Sequence, residues 1–532
     1  MGQLQSQSCC SKSEQPDFDQ VEVPKSSEGS PGVSECGESD NEFDLFSEPV
    51  SERGRADDVH HGRTFSCDLP VDLTQGTLDI FRGVQMRETM RWAGRIWRYR
   101  PSELNVQQRS KLIGLSKQVE LFDIFFSHTW KTRGRWKVLS LVFQRGWPVM
   151  LAAWAAGVVL AFALCMLEVL PLWSSWQTPD TEAVPVGGWL MIFGVIFAIG
   201  GLASSPYFLP GWSSVCFLDV VCIDQTNEKR MREGINNIGS FLRASSELHV
   251  LWSGPYLSRL WCIFEIAAYR KLNPAGKIVI APIYVELVVC QIYICMHCAA
   301  ALLWYARQGP AQGAEPLLLG SAFVVCGCSF LPAVHALRKG CLSKHQLLRD
   351  LKTFSLEHVN CTSAFDRRAI RDAIVQWYGS LDAFSEYVRG PFHQEVLGII
   401  KPWSLRLAYI FVIVTPLAAM GLEPALAMYK GRVAMESIIS YFLSFEVGMV
   451  LLWLPACIVA LDSVSDGMLE PTGTRKGYFQ TLVAFAFIVV LFACGGICAV
   501  QAYSRSTWLV LLWVTFSAFF ASLMFRRCWY SQ

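Results

Sequence analysis

Ser258-Arg259-Leu260-Trp261-Cys262-Ile263-Phe264-Glu265-Ile266 is a helix-forming run with one acid among apolar side chains, set in a compact α/β stretch from 215 to 284. Upstream, Val215-Cys216-Phe217-Leu218-Asp219-Val220-Val221-Cys222-Ile223 reads as a strand ending in the polar loop Asp224-Gln225-Thr226-Asn227-Glu228. A helix over 231–244 carries Ile235, Ile238, Phe241 and Leu242 on one face, and 248–252 reads as the next strand. Downstream, a helix over 258–271 leads to a strand at 277–283. A further strand, Phe122-Asp123-Ile124-Phe125-Phe126-Ser127, stands far upstream and opens into a loop with His128 and Trp130. Continuous apolar strands separated by helices predict a parallel sheet covered on both faces.

The rest of the chain is lipid-like. Of its 532 residues 52% are hydrophobic and only 17% charged, too apolar for an ordinary soluble protein. A bilayer core of about 30 Å takes about 20 apolar residues in a helix. Eight runs meet that length, at 148–170, 188–209, 284–306, 316–337, 403–422, 436–461, 478–502 and 506–525; Glu286 and His297 interrupt the third. The flanks at 131–146 and 338–352 and the pair Arg526-Arg527 are basic, whereas 171–187 has no Lys or Arg. The bias of basic loops toward the inner face predicts both termini, 210–283 and 338–402 in the cytoplasm. Lys430 and Arg432 run against that bias. A net charge of +1 without a basic tract argues against nucleic acid as a partner and leaves the lipid bilayer as the expected one.

The first hundred residues hold no apolar segment of the secretory-leader kind, so insertion is expected to begin at the first internal span. Residues 1–65 are rich in Ser, Glu, Asp and Gly and are expected to be disordered. Met1-Gly2-Gln3-Leu4-Gln5-Ser6 fits the myristoylation pattern at Gly2, with Cys9 and Cys10 as candidate palmitoylation sites. In the lead-in at 66–120, the segment 87–100 with Trp92 and Trp97 fits either a basic helix on anionic headgroups or one packed on the following domain. The 19 Cys are scattered and none has zinc spacing, so no metal is assigned. Asn360-Cys361-Thr362 matches a glycosylation sequon on the side predicted to be cytoplasmic.

At 122–127 the chain resembles the opening strand of a TIR domain. The run Ser258 to Ile266 is similar to the serine, tryptophan, cysteine and glutamate cluster that opens the third helix of plant-type TIR domains, and 278–284 resembles the strand after it. The likeness covers roughly 120 residues in pieces and implies a cytoplasmic five-stranded flavodoxin-like sheet. Within it the first helix is replaced by a membrane hairpin at 147–210, between parts 121–146 and 211–283; a second hairpin follows at 284–337. The segment 338–402 would then close the domain with a strand at 352–359 and a helix at 366–378. Four crossings over 403–525 and a tail at 526–532 complete the expected layout, an α-helical polytopic protein with about eight crossings and a TIR-like domain.

Some TIR domains hydrolyse NAD with a helix-borne glutamate that binds the nicotinamide ribose and favours the oxocarbenium-like state. The resemblance places Glu265 in that role and makes NAD a candidate substrate, with no tightly bound cofactor. Trp261 and Trp130 are candidates to stack on flat rings, and Ser127 and His128 lie on the loop where dinucleotide phosphates approach a sheet's carboxyl ends. Without a function, Glu265 would be a surface acid near a helix start, Trp261 and Cys262 packing residues, and His128 a solvated side chain. Asp219 and Asp224 flank a strand end but lack further oxygen ligands for a cation. Two other outputs fit the same layout. One is a non-catalytic scaffold that self-associates through TIR-like faces; the other is a channel or transporter regulated by that domain, for which the mid-membrane Glu446 is the best clue.

Overall fold

A computed structural model describes residues 79–99, 104–177, 183–307, 315–359, 364–400 and 405–530. The acylation candidates Gly2, Cys9 and Cys10, the tail at 1–65 and the sequon at 360–362 lie outside the described residues. The described strands are β1 (Arg82–Gln85), β2 (Lys117–Gln118), β3 (Phe122–His128), β4 (Ser174–Gln177), β5 (Ala183–Val186), β6 (Val215–Phe217), β7 (Ser245–Trp252) and β8 (Lys277–Pro282). Six of them form one mixed sheet in the order β2-β1-β6-β3-β7-β8, and β4 and β5 pair as a separate hairpin. The four strands β6, β3, β7 and β8 run parallel, while β1 is antiparallel to β6 and to β2.

Buried aromatics explain why β3 occupies the centre. On one face Phe125 stacks on Phe217 at 4.6 Å between centroids, and Phe217 meets Phe241 at 5.0 Å. On the other, Phe126 receives the edge of Trp97 at 5.3 Å. Trp97 is buried and Trp92 exposed, so the lead-in packs on the domain through the former. The helix Gly134–Met166 starts against the Trp97 carbonyl so closely that a Cβ at Gly134 would lie 1.8 Å from that oxygen. Only glycine fits there.

Three expectations about the sheet need correction. The strand expected at 215–223 ends at Phe217, because Asp219–Cys222 turns into a short helix. The helix expected at 231–244 is two, Glu228–Asn236 and Ile238–Arg243. No strand forms at 352–359: the helix Glu315–Lys352 runs through Lys352 and the chain then makes a 3-10 turn at Leu356–His358. Too little extended chain is left for a ladder, and Phe354 and Leu356 are buried in the domain core instead. That segment closes on the domain through helices. The helix Ala364–Tyr378 lies on Leu260–Leu272, with Trp377 beside Phe264 at 5.6 Å and the Tyr378 hydroxyl donating to the Ala267 carbonyl at 3.1 Å.

Seven helices among the described residues are long and apolar enough to cross a membrane: Gly134–Met166, Trp189–Phe208, Tyr284–Tyr305, Leu407–Lys430, Met435–Asp466, Arg475–Arg505 and Thr507–Arg526. The expected crossing at 316–337 is the first part of the helix Glu315–Lys352. The first crossing starts well before 148, with no break between the sheet's loop and the membrane helix.

Lys430, Glu423 and Arg338 in the bundle have local partners. Lys430, one of the two cations that run against the charge bias, donates to the Cys165 carbonyl at 3.0 Å and so caps the end of Gly134–Met166. The buried Glu423 accepts backbone N–H groups from Gly187, Gly188, Leu190 and Met191, capping a helix start that has no cap of its own. Arg338 is fully buried and donates to the Gly477 carbonyl, Thr481 Oγ1 at 2.6 Å, Gln480 Oε1 at 2.6 Å and the Glu470 carbonyl at 3.1 Å. It ties Glu315–Lys352 to the turn before Arg475–Arg505. Replacing Arg338 with Ala removes all of these hydrogen bonds at once and leaves a cavity where the guanidinium was, and is expected to cost about 3 kcal/mol or more; thermal unfolding in lipid nanodiscs checks this, and an unchanged midpoint would refute the latch.

Candidate functional site

The carboxyl ends of β3 and β7 lie side by side where the chain changes direction: from β3 it goes to β6 on one flank, then returns to β7 on the other. Such a reversal opens a crevice at the strand ends. Ser127 and His128 close β3. Because neighbouring residues of a strand point to opposite faces, the two side chains part company there.

Ser127 is fully buried and donates from its hydroxyl to the Glu265 carboxyl; the Tyr256 hydroxyl donates in turn to Ser127. Glu265 lies in the second turn of the helix Leu260–Leu272, beyond the first turn where the helix dipole acts. Its neighbours Ile263, Phe264, Ile266 and Ala267 are buried, while Glu265 and Trp261 keep part of their surface open. Burial of its carboxyl, reinforced by the charge of Asp219 and opposed by the Ser127 bond, pushes Glu265 up to about 8. A surface acid at a helix start would not behave so.

His128 faces a second cluster. Its Nδ1 is 3.1 Å from Lys137 Nζ, and Nε2 is 3.8 Å from Asp219 Oδ1. Lys137 donates also to the Thr129 carbonyl at 2.8 Å and lies 5.2 Å from the Trp130 ring centre. Trp130 sets its edge against His128 at 4.8 Å and donates from Nε1 to Asp219 Oδ2 at 3.1 Å. Burial, with the neighbouring Lys137 charge, holds His128 well below its usual range, and burial pushes Asp219 up to about 6. A neutral His128 takes Lys137's hydrogen bond at Nδ1 and carries its own proton on Nε2, toward Asp219. His128 is therefore buried, not the solvated loop residue its sequence position suggests.

Of the residues singled out by sequence, Glu265 and Ser127 are brought into direct contact, and His128 and Trp130 into a neighbouring cluster. Trp261 is on the same helix as Glu265, edge-on to Phe264 at 5.6 Å. Asp224 stands apart, its Oδ1 bound to the Thr226 hydroxyl at 2.6 Å within its own turn. The thiol of Cys262 is buried and pushed far up by burial and by Glu265, hence unreactive. Among the described residues no cluster of three His, Cys, Asp or Glu side chains could hold a metal. Tyr256, Lys137 and the pairing role of Asp219 went unread in the sequence. Only the position of Tyr256, just past the β7 end, offered a signal.

Glu446 is far from this site, in a 12-residue π-helical stretch, Phe442–Trp453. It is buried, its Oε1 has no hydrogen-bond partner among the described residues, and a Cβ on Gly421 would lie 1.8 Å from that oxygen.

A folded-state carboxyl raised from 4.5 to about 8 stabilises the fold fully below about 4.5 and loses that contribution as pH rises through 8. Glu265→Gln keeps a neutral side chain at all pH, so the variant should lack at least about 1 kcal/mol of the wild-type decline between those limits. Parallel curves for the two proteins in denaturation across pH 4 to 9 would place the Glu265 carboxyl in solvent. No protein-family model matches this chain, and neither a curated protein nor a solved structure matches it.

Proposed function

We propose that this is a membrane-embedded TIR-like signalling protein whose sheet domain cleaves NAD between nicotinamide and ribose, with Glu265 as the catalytic carboxylate. The observation that carries the reading is Glu265, a partly exposed residue whose buried carboxyl is bonded to Ser127 beside the carboxyl ends of β3 and β7. The order of the four parallel strands, second, first, third, fourth, is consistent with the flavodoxin-like arrangement that TIR domains share. The position of Glu265, on the helix after the third of these strands, supports the same reading.

The reaction breaks the bond from the ribose anomeric carbon to the pyridinium nitrogen. The bonding pair goes to nicotinamide, which leaves neutral, and the ribose takes on positive charge until water adds at that carbon and gives up a proton. A carboxylate shielded from water stabilises that charge far better than one in bulk solvent. Without substrate, the Glu265 carboxyl rests neutral against Ser127; ribose hydroxyls would replace the Ser127 bond, and loss of its proton would arm it. Trp261 and Trp130 border the crevice with flat faces for nicotinamide or adenine. The domain would act in the cytoplasm, and contact between copies of it would regulate the output.

In nanodiscs, wild-type protein under crowded conditions should release nicotinamide from NAD, and Glu265→Gln should lose activity by about 100-fold or more. The rate should rise as pH approaches 8, because the anionic form of Glu265 is the active one. Folded protein that never cleaves NAD, or a Gln variant that cleaves it as well as wild type, would defeat the proposal.

A second reading, a transporter regulated by the domain, rests on Glu446, whose Oε1 inside the bundle has no hydrogen-bond partner among the described residues, as a proton or cation pathway needs. Pyranine-loaded vesicles separate the two: proton flux abolished by Glu446→Gln, with no NAD cleavage, would favour transport.

A further inference from the structure

Three consecutive residues of the lead-in, Trp92, Ala93 and Gly94, have left-handed backbone, with φ of 55°, 53° and 65°. Residues other than glycine avoid that region, and a run of them persists only where the surroundings impose it. Here they do. A Cβ on Gly94 would lie 2.3 Å from a Val138 methyl, so the turn is pressed onto the helix Gly134–Met166. Arg98 donates to the Ala93 carbonyl at 2.8 Å, and Trp97 is held edge-on to Phe126. The product of this strained turn is a Trp92 side chain that is 84% exposed. The surface beside that indole is basic. Arg87, Arg91, Arg95 and Arg98 are all exposed and stand within six residues of Trp92; the one acid among them, Glu88, pairs with Arg91 at 2.9 Å. Arg133 and Arg135, also exposed, flank the glycine that abuts Trp97.

The segment lies where the first hairpin meets the sheet. The helix Met86–Gly94 packs on both hairpin helices and on the turn Pro210–Ser213, and the Met86 N–H donates to the Ser214 carbonyl at 2.9 Å. Arg145 is the last charge before an apolar run that lasts to Leu167, which sets it at one face of the hydrocarbon core. It donates to the Gly211 carbonyl at 2.5 Å, so the chain leaving the second helix is pinned at the same level. From Arg145 back to Val138 the helix rises about 10 Å, and headgroups occupy about 5–7 Å beyond each face of the core. Tyr207 and Phe208, both exposed, end the second helix on this side.

We propose that the turn at 92–94 is a bilayer anchor, with Trp92 seated in the headgroup layer and the arginines beside it bound to the phosphates of anionic phospholipids. An indole suits that layer because its ring is apolar and its N–H polar, and a guanidinium pairs with phosphate through two parallel bonds. Anionic headgroups attract basic side chains held this close to the core. The same charge works against a second copy of this patch as the occupant, since the two sets of arginines would repel. The strained turn sets the indole outward from a segment that otherwise packs on the domain. The anchor is separate from Glu265 and does not depend on the proposed NAD chemistry.

Full-length protein carrying p-benzoylphenylalanine in place of Trp92, irradiated in nanodiscs and read by mass spectrometry, tests this. Phospholipid adducts should form, and adding phosphatidylserine to phosphatidylcholine discs should raise their yield about fivefold or more. Arg91→Gln and Arg95→Gln together should remove most of that rise. Amide hydrogen exchange over 86–99 is a second readout: phosphatidylserine should slow it several-fold in the wild type but not in Trp92→Gly, a substitution that suits the left-handed backbone and keeps the fold. Adducts to protein instead of lipid, a yield indifferent to phosphatidylserine or to the arginine substitutions, or equal slowing in wild type and Trp92→Gly would overturn the proposal.

Discussion

The parallel pairing of β3 with both β6 and β7 is the constraint on which the rest of the molecule depends. The three strands are drawn from 122–128, 215–217 and 245–252, so a sheet that needs them side by side must tolerate an excursion of more than 80 residues between the first two. A helical hairpin meets that demand because it leaves and returns on one side. Gly134–Met166 and Trp189–Phe208 pack along each other, and the chain re-enters the sheet a few residues after the second helix ends. Parallel strands always require a crossover; here the crossover is made of membrane-spanning helices.

The same constraint ties the lead-in, the sheet and the first crossing into one unit. The Trp97 ring packs on β3 while its carbonyl abuts Gly134, and Lys137, one turn further along that helix, reaches back to Thr129 and His128 at the end of β3. No flexible linker separates membrane helix from sheet. Lys137 on that helix thus joins His128 and, across it, Asp219, whose charge is felt by Glu265.

Much of this was legible in the sequence because its signals were local. The apolar runs of β3, β7 and β8 and the amphipathic spacing of 231–244 marked elements within a few residues of where they form, although the latter breaks in two at Asn237. Glu265 stood out as one acid among Ile263, Phe264 and Ile266, and the structure brings it to Ser127. What stayed hidden depends on distant contacts. β1 and β2 are too short to show a period, and they exist as strands only because β6 offers an edge. The run 215–223 is apolar throughout, and nothing local says that Asp219 will turn it into a helix facing Trp130. The segment 352–359 carries strand-forming residues, but it follows a long helix that nothing interrupts until Thr353. Lys137 reads as one of several basic residues flanking a crossing. Only the folded chain shows its amine buried beneath Trp130.

Burial by itself does not separate function from structure among the acids of this protein; partners do. Glu423 is spent on backbone N–H groups at a helix start, and Glu286 on two hydroxyls, so each holds helices together. Glu265 is bound on one side to Ser127, with part of its surface still open at a crevice formed by strand ends. Asp462 accepts from the Leu405 backbone N–H and the Cys341 thiol, and Glu446 Oε1 has no hydrogen-bond partner among the described residues. An unserved carboxyl group in a low-dielectric setting costs several kcal/mol. Such a cost persists in a stable fold where a ligand, a proton or a substrate completes the set. Among the described residues the acids left incompletely satisfied are Glu265, at the ends of the sheet strands, and Glu446, in the bundle interior.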